Sequence, residues 1–293
     1  MLGSVLITGG TGTLGRALTR RLLDDGLSDR ICIFSRGEHA QADMRDALND
    51  DDRLRWFIGD VRSEARLRRA FESIDIVVHA AALKRVETGQ YNSTEMTETI
   101  VDGTRNVVEA AQDTGVKKAV LISSDKATSP RNHYGACKMV AEGLFLHANH
   151  SVPQEKTRFA IARYGNVWRS QGSVVPKWER EIQAGARSIE VREPDATRFF
   201  MYAEEAVDLV LDTIRTMNGG EIAVPDLPAY RLGDLADVFT EAYGVRQVNT
   251  SLPDFEKLHE EMLHGHSSAS ARRMSKAELR AALGINPVQR AAA

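Results

Sequence analysis

Short, nearly continuous apolar runs alternate with longer amphipathic stretches along the first half of the chain. Val5-Leu6-Ile7 opens the series, and residues 31–34, 56–58, 74–79 and 119–123 repeat it. Runs that are apolar at successive positions, rather than at every second one, predict strands of a parallel sheet covered on both faces. Between them the apolar positions recur at helical spacing. Leu14, Leu18 and Leu22 line one face of a helix over 14–24, and similar patterns predict helices over 65–71, 99–114 and 134–148. This alternation predicts an α/β fold, a Rossmann-type doubly wound parallel sheet.

The order changes near Ile161. A strand over 160–163 precedes a loop rich in Gly, Ser and Asn. Helices follow over 174–184 and 203–217, then a short strand over 221–224 and tail helices over 232–243 and 276–283. Ser275 and Glu278 have the spacing of a capping box for the last helix. The Ser-rich stretch 265–271 reads as a mobile loop or linker. The break predicts two discontinuous domains. Residues 1–167 with about 200–225 form the dinucleotide-binding domain, and about 168–199 with 226–293 form a small C-terminal α/β substrate lobe.

Composition narrows the class. A chain of 293 residues, 42% hydrophobic and 27% charged, suits one large α/β domain with an appended lobe. The net charge of -3 gives no sign of a polyanion partner, so no nucleic acid is expected, and Arg66-Leu67-Arg68-Arg69 reads as a solvated helix face. Cys32 and Cys137 lack metal-ligand spacing and are too few for a disulfide framework, so both read as reduced packing residues and no metal site is expected. With no eighteen-residue apolar run and no signal-peptide pattern, the expected location is cytoplasmic, without membrane insertion.

Thr8-Gly9-Gly10-Thr11-Gly12-Thr13-Leu14-Gly15 lies between the first strand and the first helix. Glycines suit a backbone that must turn tightly and approach a pyrophosphate, and a helix N-terminus offers free N–H groups and the positive end of its dipole. That context makes Gly9, Thr11, Gly12, Thr13, Leu14 and Gly15 candidate dinucleotide ligands. Ser35-Arg36 closes the second strand where NAD sites carry a carboxylate. A hydroxyl and a guanidinium suit a 2′-phosphate, so NADP is expected over NAD, the alternative being an Arg36 that only stacks on adenine. Asp60-Val61 falls beside the adenine.

Tyr134 and Lys138 are four residues apart on a predicted helix and share one face. An ammonium beside a phenol is expected to lower the tyrosine pKa, so that Tyr134 takes a proton from a hydroxyl as hydride leaves the same carbon. Ser124, in the Ser123-Ser124 pair just upstream, is placed to hydrogen-bond the same oxygen.

Together these features resemble the short-chain dehydrogenase/reductase superfamily in its extended, nucleotide-sugar branch. The likeness narrows further along the chain. His79-Ala80-Ala81-Ala82-Leu83-Lys84, Ser123-Ser124-Asp125-Lys126-Ala127, Tyr134-Gly135-Ala136-Cys137-Lys138, Arg163-Tyr164-Gly165-Asn166-Val167 and Gly172-Ser173-Val174-Val175-Pro176 stand in the order found in inverting UDP-N-acetylglucosamine 4,6-dehydratases. Those enzymes open the pseudaminic acid route to modified surface sugars. The resemblance runs from Val5 to about Leu263, and the Asp125-Lys126 doublet and the Gly172–Pro176 segment are its most specific parts.

The resemblance implies a tightly held NADP and a UDP-linked sugar. Lys126 would be the base at C5, and Asp125 the acid that protonates the departing C6 hydroxyl. Ala80, Ala81, Ala82, Lys84, Tyr134, Lys138 and Tyr164 would contact the cofactor, and Lys84, Asn166, Val174, Val175 and Arg198 the substrate. Arg198 reads equally as half of a structural ion pair. A homodimer or higher homo-oligomer is implied through helices 99–114 and 134–148.

Several positions depart from that pattern. Ile100 stands where relatives have Asn near the cofactor. Arg85 replaces a common His and Glu87 a common Pro, while Trp168 and Arg169 replace smaller residues. A 4-epimerase or 4-ketoreductase, a 5,6-dehydratase without hydride return, and a non-catalytic NADP-sensing regulator therefore stay open as alternatives.

Overall fold

The computed structural model describes residues 1–151 and 156–285. They form two compact units, one from Met1–Tyr164 with Tyr202–Pro225, the other from Gly165–Met201 with the chain from Asp226 onward.

The first unit begins with β1 (Ser4–Thr8), α1 (Thr13–Asp24), β2 (Arg30–Ser35), α2 (Glu38–Ala47), β3 (Leu54–Ile58), α3 (Glu64–Phe71) and β4 (Ile76–His79). It continues through α4 (Val86–Tyr91), α5 (Ser93–Thr97), a π-helical turn (Glu98–Asp102), α6 (Gly103–Thr114), β5 (Lys118–Ser124), a 3₁₀ turn (Asp125–Ala127), α7 (His133–Ser151) and β6 (Arg158–Tyr164). The second unit takes α8 (Val174–Gln183), β7 (Ser188–Arg192) and β8 (Thr197–Phe199). The chain then returns to the first unit for α9 (Ala203–Thr216) and β9 (Ile222–Ala223). It ends in the second with β10 (Ala229–Arg231), α10 (Leu232–Tyr243), β11 (Arg246–Thr250), β12 (Glu261–Leu263), β13 (His266–Ser267) and α11 (Lys276–Leu283).

The seven-stranded sheet has the order β3-β2-β1-β4-β5-β6-β9, and every pairing in it is parallel. Its apolar runs are buried on both faces. Leu6, Cys32, Val77, Leu121 and Phe159 point to one side, where they join Leu67, Phe71, Val107, Ala111 and Phe145 of the helices in a single core. On the other side α1 and α9 pack together. Strand order reverses direction around β1 and β4, so the crevice at their C-terminal ends is the place where such a sheet takes a ligand. Both cysteines are free and buried. Among the described residues no helix is long and apolar enough to cross a membrane.

The helix expected over 99–114 is not uniform. Its first part is the π turn, with Ile100 buried in the core, and Thr104 Oγ1 donating back to the Ile100 carbonyl at 2.5 Å. Helix α2 escaped the periodicity because its buried stripe is only Gln41 and Met44. The stretch 265–271 is not a mobile linker: Gly265 at φ +83° turns β12 into β13, and Ser268, fully buried, donates to and accepts from neighbours at Thr197 and Glu260.

The second unit has its own core, built on Trp168, Trp178, Ile189, Val191, Phe200, Phe239 and Leu279. Strands β7 and β11 pair in parallel and β8 and β10 antiparallel. Trp168 anchors α11 by donating Nε1–H to the Ala282 carbonyl at 3.0 Å while packing on Phe200 and Tyr230. This large residue thus fills the unit's core. Ser275 and Glu278 form the capping box of α11.

Candidate functional site

The turn after β1 is shaped by close backbone approach. Gly9 has φ +66°, its N–H donates to the Phe34 carbonyl at 2.8 Å, and a Cβ there would lie 2.8 Å from the Ala81 backbone. A Cβ on Gly15 would overlap the Gly10 carbonyl oxygen, so only glycine lets α1 start this close to the strand. Gly12 caps α1 with no side-chain hydrogen bond, and the first turn holds no acidic residue. The N-terminal dipole therefore meets no competing carboxylate, and the turn fits a diphosphate. Thr8 Oγ1 closes the far wall: it accepts from the Ala81 N–H at 3.3 Å and bonds His79 Nδ1 at 2.7 Å.

At the end of β2, Arg36 is half exposed and lies 3.9 Å from Asp60, whose carboxylate is already held by Arg62 at 2.8 Å. Burial pushes the Asp60 pKa up, but the Arg62 hydrogen bonds win and hold it below the usual carboxylate value. The Ser35 hydroxyl is buried and accepts from Gln41 Nε2 at 3.0 Å, which leaves its own proton to donate. Val61 is fixed from behind, its carbonyl accepting from Asn106 Nδ2 at 3.0 Å.

The second cluster lies at the ends of β5 and β6 and the start of α7. Ser124 and Tyr164 stand opposite each other in the sheet. Gly135 lets α7 approach the 3₁₀ turn, since a Cβ there would overlap the Lys126 carbonyl oxygen. Tyr134 and Lys138 are both buried, as is the Asp125 side chain. Ser124 Oγ donates to Asp125 Oδ1 at 2.8 Å and accepts from the Lys126 N–H at 3.3 Å, while Lys126 Nζ lies 3.2 Å from Asp125 Oδ1.

The electrostatics differ from the expectation for Tyr134. Burial dominates and pushes its pKa up to about 12; the cation that lowers it is Lys126, not Lys138. Lys138 instead donates Nζ–H to the Ile122 carbonyl at 2.8 Å, and burial brings its own pKa down to about 8. Four residues on a helix place two side chains on one face, but a nearby carbonyl claims the ammonium. Burial, then the Tyr134 charge, raises Tyr164. Lys84 is exposed, and desolvation followed by Arg85 lowers its pKa.

Sequence reading missed a clamp beneath this cluster. Arg163 makes a bidentate pair with Glu142 at 2.8 and 2.6 Å, both side chains buried, and a third N–H reaches Thr128 Oγ1 at 3.1 Å. It joins β6, α7 and the loop that follows Lys126. The signal was an arginine ending the apolar strand Phe159-Ala160-Ile161-Ala162, which demands a buried partner, and a glutamate four residues beyond Lys138.

In the second unit, Asn166 and Val174 are partly buried. Val175 belongs to the core at 1% exposure, so its side chain faces packing rather than solvent. Arg198 is committed to ion pairs, with Glu256 at 3.1 Å and Glu260 at 4.0 Å, and donates to the Thr197 and Leu258 carbonyls.

The parallel sheet, its glycine turn and the Tyr134–Lys138 pair are those of an extended short-chain dehydrogenase/reductase. A family profile described as polysaccharide biosynthesis protein matches residues 5–281, and the chain belongs to that family. It is 39% identical over 265 residues to the inverting UDP-N-acetylglucosamine 4,6-dehydratase of Campylobacter jejuni, covering 90% of this chain and 78% of that protein. It is also 37% identical over 275 residues to the UDP-glucose 4-epimerase of Rickettsia rickettsii, covering 92% and 80%. Among solved structures, Pen from Bacillus thuringiensis superposes with a TM-score of 0.91 at 33% identity, over 97% of this chain and 98% of that one.

Proposed function

We propose that this chain is a nucleotide-sugar 4,6-dehydratase acting on a UDP-N-acetylglucosamine-like substrate with NADP(H). The observation that carries the reading is the Asp125–Lys126 pair, in contact at 3.2 Å and held by the Ser124 hydroxyl, with the buried Tyr134 on the helix packed against that turn. A group that only oxidises and re-reduces C4 needs the tyrosine alone; an acid and a base beside it suit elimination. The 39% identity to the Campylobacter jejuni dehydratase supports the same choice.

Gly9, Gly12 and Gly15 would hold the diphosphate of the dinucleotide, Ser35 and Arg36 its 2′-phosphate, and Tyr134 and Lys138 its nicotinamide ribose. When bound, it supplies the acceptor for hydride from C4 and the donor of hydride to C6. Tyr134 Oη takes the proton of the C4 hydroxyl. The C4 ketone acidifies C5, whose proton goes to Lys126 Nζ, and Asp125 Oδ gives a proton to the departing C6 hydroxyl. Lys126 then returns its proton to C5. A positioned acid or base contributes roughly 10²–10⁴ in rate.

Incubation with UDP-N-acetylglucosamine in deuterated water tests this. A 4-keto-6-deoxy product carrying deuterium at C5 is expected, and unchanged sugar across a panel of UDP-sugars would refute it. For the cofactor, Arg36→Ala should weaken NADP binding by about tenfold or more, the worth of a charged hydrogen bond, and leave NAD binding unaltered. Equal loss for both would mean that Arg36 only stacks on adenine.

The second reading is a 4-epimerase, favoured by the 37% identity to the Rickettsia rickettsii enzyme. It needs Tyr134 but not Lys126, so Lys126→Ala separates the two: epimerisation survives it and dehydration does not.

A further inference from the structure

Asp60 is the one carboxylate within ion-pair reach of Arg36 among the described residues, yet the two do not engage. Arg36 Nη1 lies 3.9 Å from Asp60 Oδ2, too far for a hydrogen bond. Asp60 is filled from the other side. Arg62 donates Nε–H and Nη2–H to Oδ2 at 3.0 and 2.8 Å, and its backbone N–H to Oδ1 at 3.0 Å. The far end of the same guanidinium is fixed in turn: Nη1 reaches Glu95 of α5 at 2.7 Å and Glu98 of the π turn at 3.2 Å. From this arrangement we infer that Arg62 sets the preference for NADP over NAD without touching either dinucleotide, by occupying Asp60 so that Arg36 is left to the 2′-phosphate.

On the NADP reading, on which this rests, two anions compete for one guanidinium. Asp60 is tethered beside Arg36, whereas the phosphate arrives from solution. With Arg62 in place, Asp60 already carries three hydrogen bonds and a countercharge, so Arg36 gains little by turning to it. Without Arg62, Oδ2 loses two donors and Arg36 is the cation left in reach. Closing 3.9 Å to a charge-assisted hydrogen bond of about 2.9 Å is a small movement for a half-exposed arginine. The 2′-phosphate would then meet a carboxylate and a guanidinium that is already paired. A carboxylate at that place suits the 2′-hydroxyl of NAD and repels the phosphate.

Arg62 is no second phosphate ligand. Its guanidinium is shared among three carboxylates, those of Asp60, Glu95 and Glu98. Arg36 makes no hydrogen bond to a protein group among the described residues, which is the state in which it can take a ligand. The two arginines thus have separate tasks, one for the protein's own carboxylates and one for the dinucleotide.

Dissociation constants of NADPH and NADH, read from the fluorescence of the bound reduced nicotinamide, test the inference. Their ratio cancels whatever Asp60 does at the adenine, which both share. Arg62→Ala should lower the preference for NADPH about tenfold, the loss also expected of Arg36→Ala, because each ends in a missing charged hydrogen bond. Combining Asp60→Asn with Arg62→Ala should restore the preference, since an amide offers Arg36 no charge. Combining Arg62→Ala with Arg36→Ala should lower it no further than Arg36→Ala alone. A loss that persists beside Asp60→Asn, or deepens beside Arg36→Ala, would place Arg62 on the phosphate itself and overturn the inference. An unchanged preference in Arg62→Ala would overturn it too, by showing that Asp60 does not compete. If Arg62→Ala does not fold, Arg62→Gln keeps a donor for the carboxylates without the charge and is judged by the same outcomes. A wild-type protein that binds NADH as tightly as NADPH marks failure of the NADP reading instead.

Discussion

Two glycines do the same mechanical job at two ends of the first unit. Gly15 lets α1 sit against the Gly10 carbonyl, and Gly135 lets α7 sit against the Lys126 carbonyl. What each close approach presents is different. The first presents backbone N–H groups and a helix dipole, which stay the same whatever side chains surround them. The second presents Tyr134, Asp125 and Lys126, whose charges depend on which neighbour each one finds. A backbone site is thus specified by where glycines fall, whereas a side-chain site is specified by competition among partners.

The largest expected effect falls on the side-chain cluster. Lys126→Ala should reduce dehydration by roughly 10²–10⁴-fold while dinucleotide affinity holds, as read by product formation and by binding titration. An equal loss of dinucleotide binding would erase the distinction between the two regions.

That distinction also explains what the sequence made legible. The strands of the sheet, α1, α3, α6, α7 and α9 follow from apolar period, and the glycine turn from its place between strand and helix. Short elements such as α4, α5, β8 and β10 bury too few residues to leave a period. The Tyr134–Lys138 spacing was legible, but the Ile122 carbonyl that claims Lys138 comes from a strand sixteen residues away and leaves no mark in the spacing. Lys126 as the cation acting on Tyr134 emerges only when the 3₁₀ turn meets α7. Trp168 stood out as a substrate-side departure, yet the core of the second unit accounts for it, and of the two readings open for Arg198 the structural ion pair is the one its Glu256 contact fits.

Next in size is the clamp. Glu142→Ala leaves the Arg163 guanidinium buried without its carboxylate, which typically costs about 3–5 kcal/mol. Urea unfolding should show the loss. Pairing Glu142→Leu with Arg163→Met should recover most of the stability without recovering turnover, because Thr128 still lacks its anchor. Full recovery of turnover would show that the clamp holds the fold and not the loop.

The two glycines themselves permit a matched comparison. Gly15→Ala and Gly135→Ala each force a Cβ against a backbone oxygen, an overpacking that costs about 1–3 kcal/mol. Gly15→Ala should raise the dinucleotide dissociation constant and leave the rate at saturating cofactor little changed. Gly135→Ala should lower that rate by pushing the start of α7, and Tyr134 with it, away from the 3₁₀ turn that carries Asp125 and Lys126. Identical profiles for the two variants would mean that the glycines support the fold in general and not separate sites.

The smallest effect tests the residue that stands between the regions. His79 ends β4, bonding Thr8 beside the glycine turn through Nδ1 at 2.7 Å and Thr104 through Nε2 at 3.1 Å. Burial, with the Lys138 charge adding to it, brings its pKa down from 6.5 to about 3. Between those values the unfolded chain binds a proton that the folded chain refuses, so stability rises with pH across the window and is lost as pH falls from 6.5 toward 3. The slope is at most about 1.4 kcal/mol per pH unit for one group. Asp51, Asp75 and Glu278, each lowered to about 2 by hydrogen bonds to neighbours, lose their contributions mainly below the ordinary carboxylate range. Urea midpoints compared between pH 5 and 6.5 therefore isolate the histidine, with an expected loss of about 2 kcal/mol toward the acid end. His79→Asn, which can still bond both threonines, should flatten that dependence whatever it does to absolute stability. An unchanged slope in the variant would place the acid sensitivity elsewhere and leave His79 as a neutral spacer between backbone site and side-chain site.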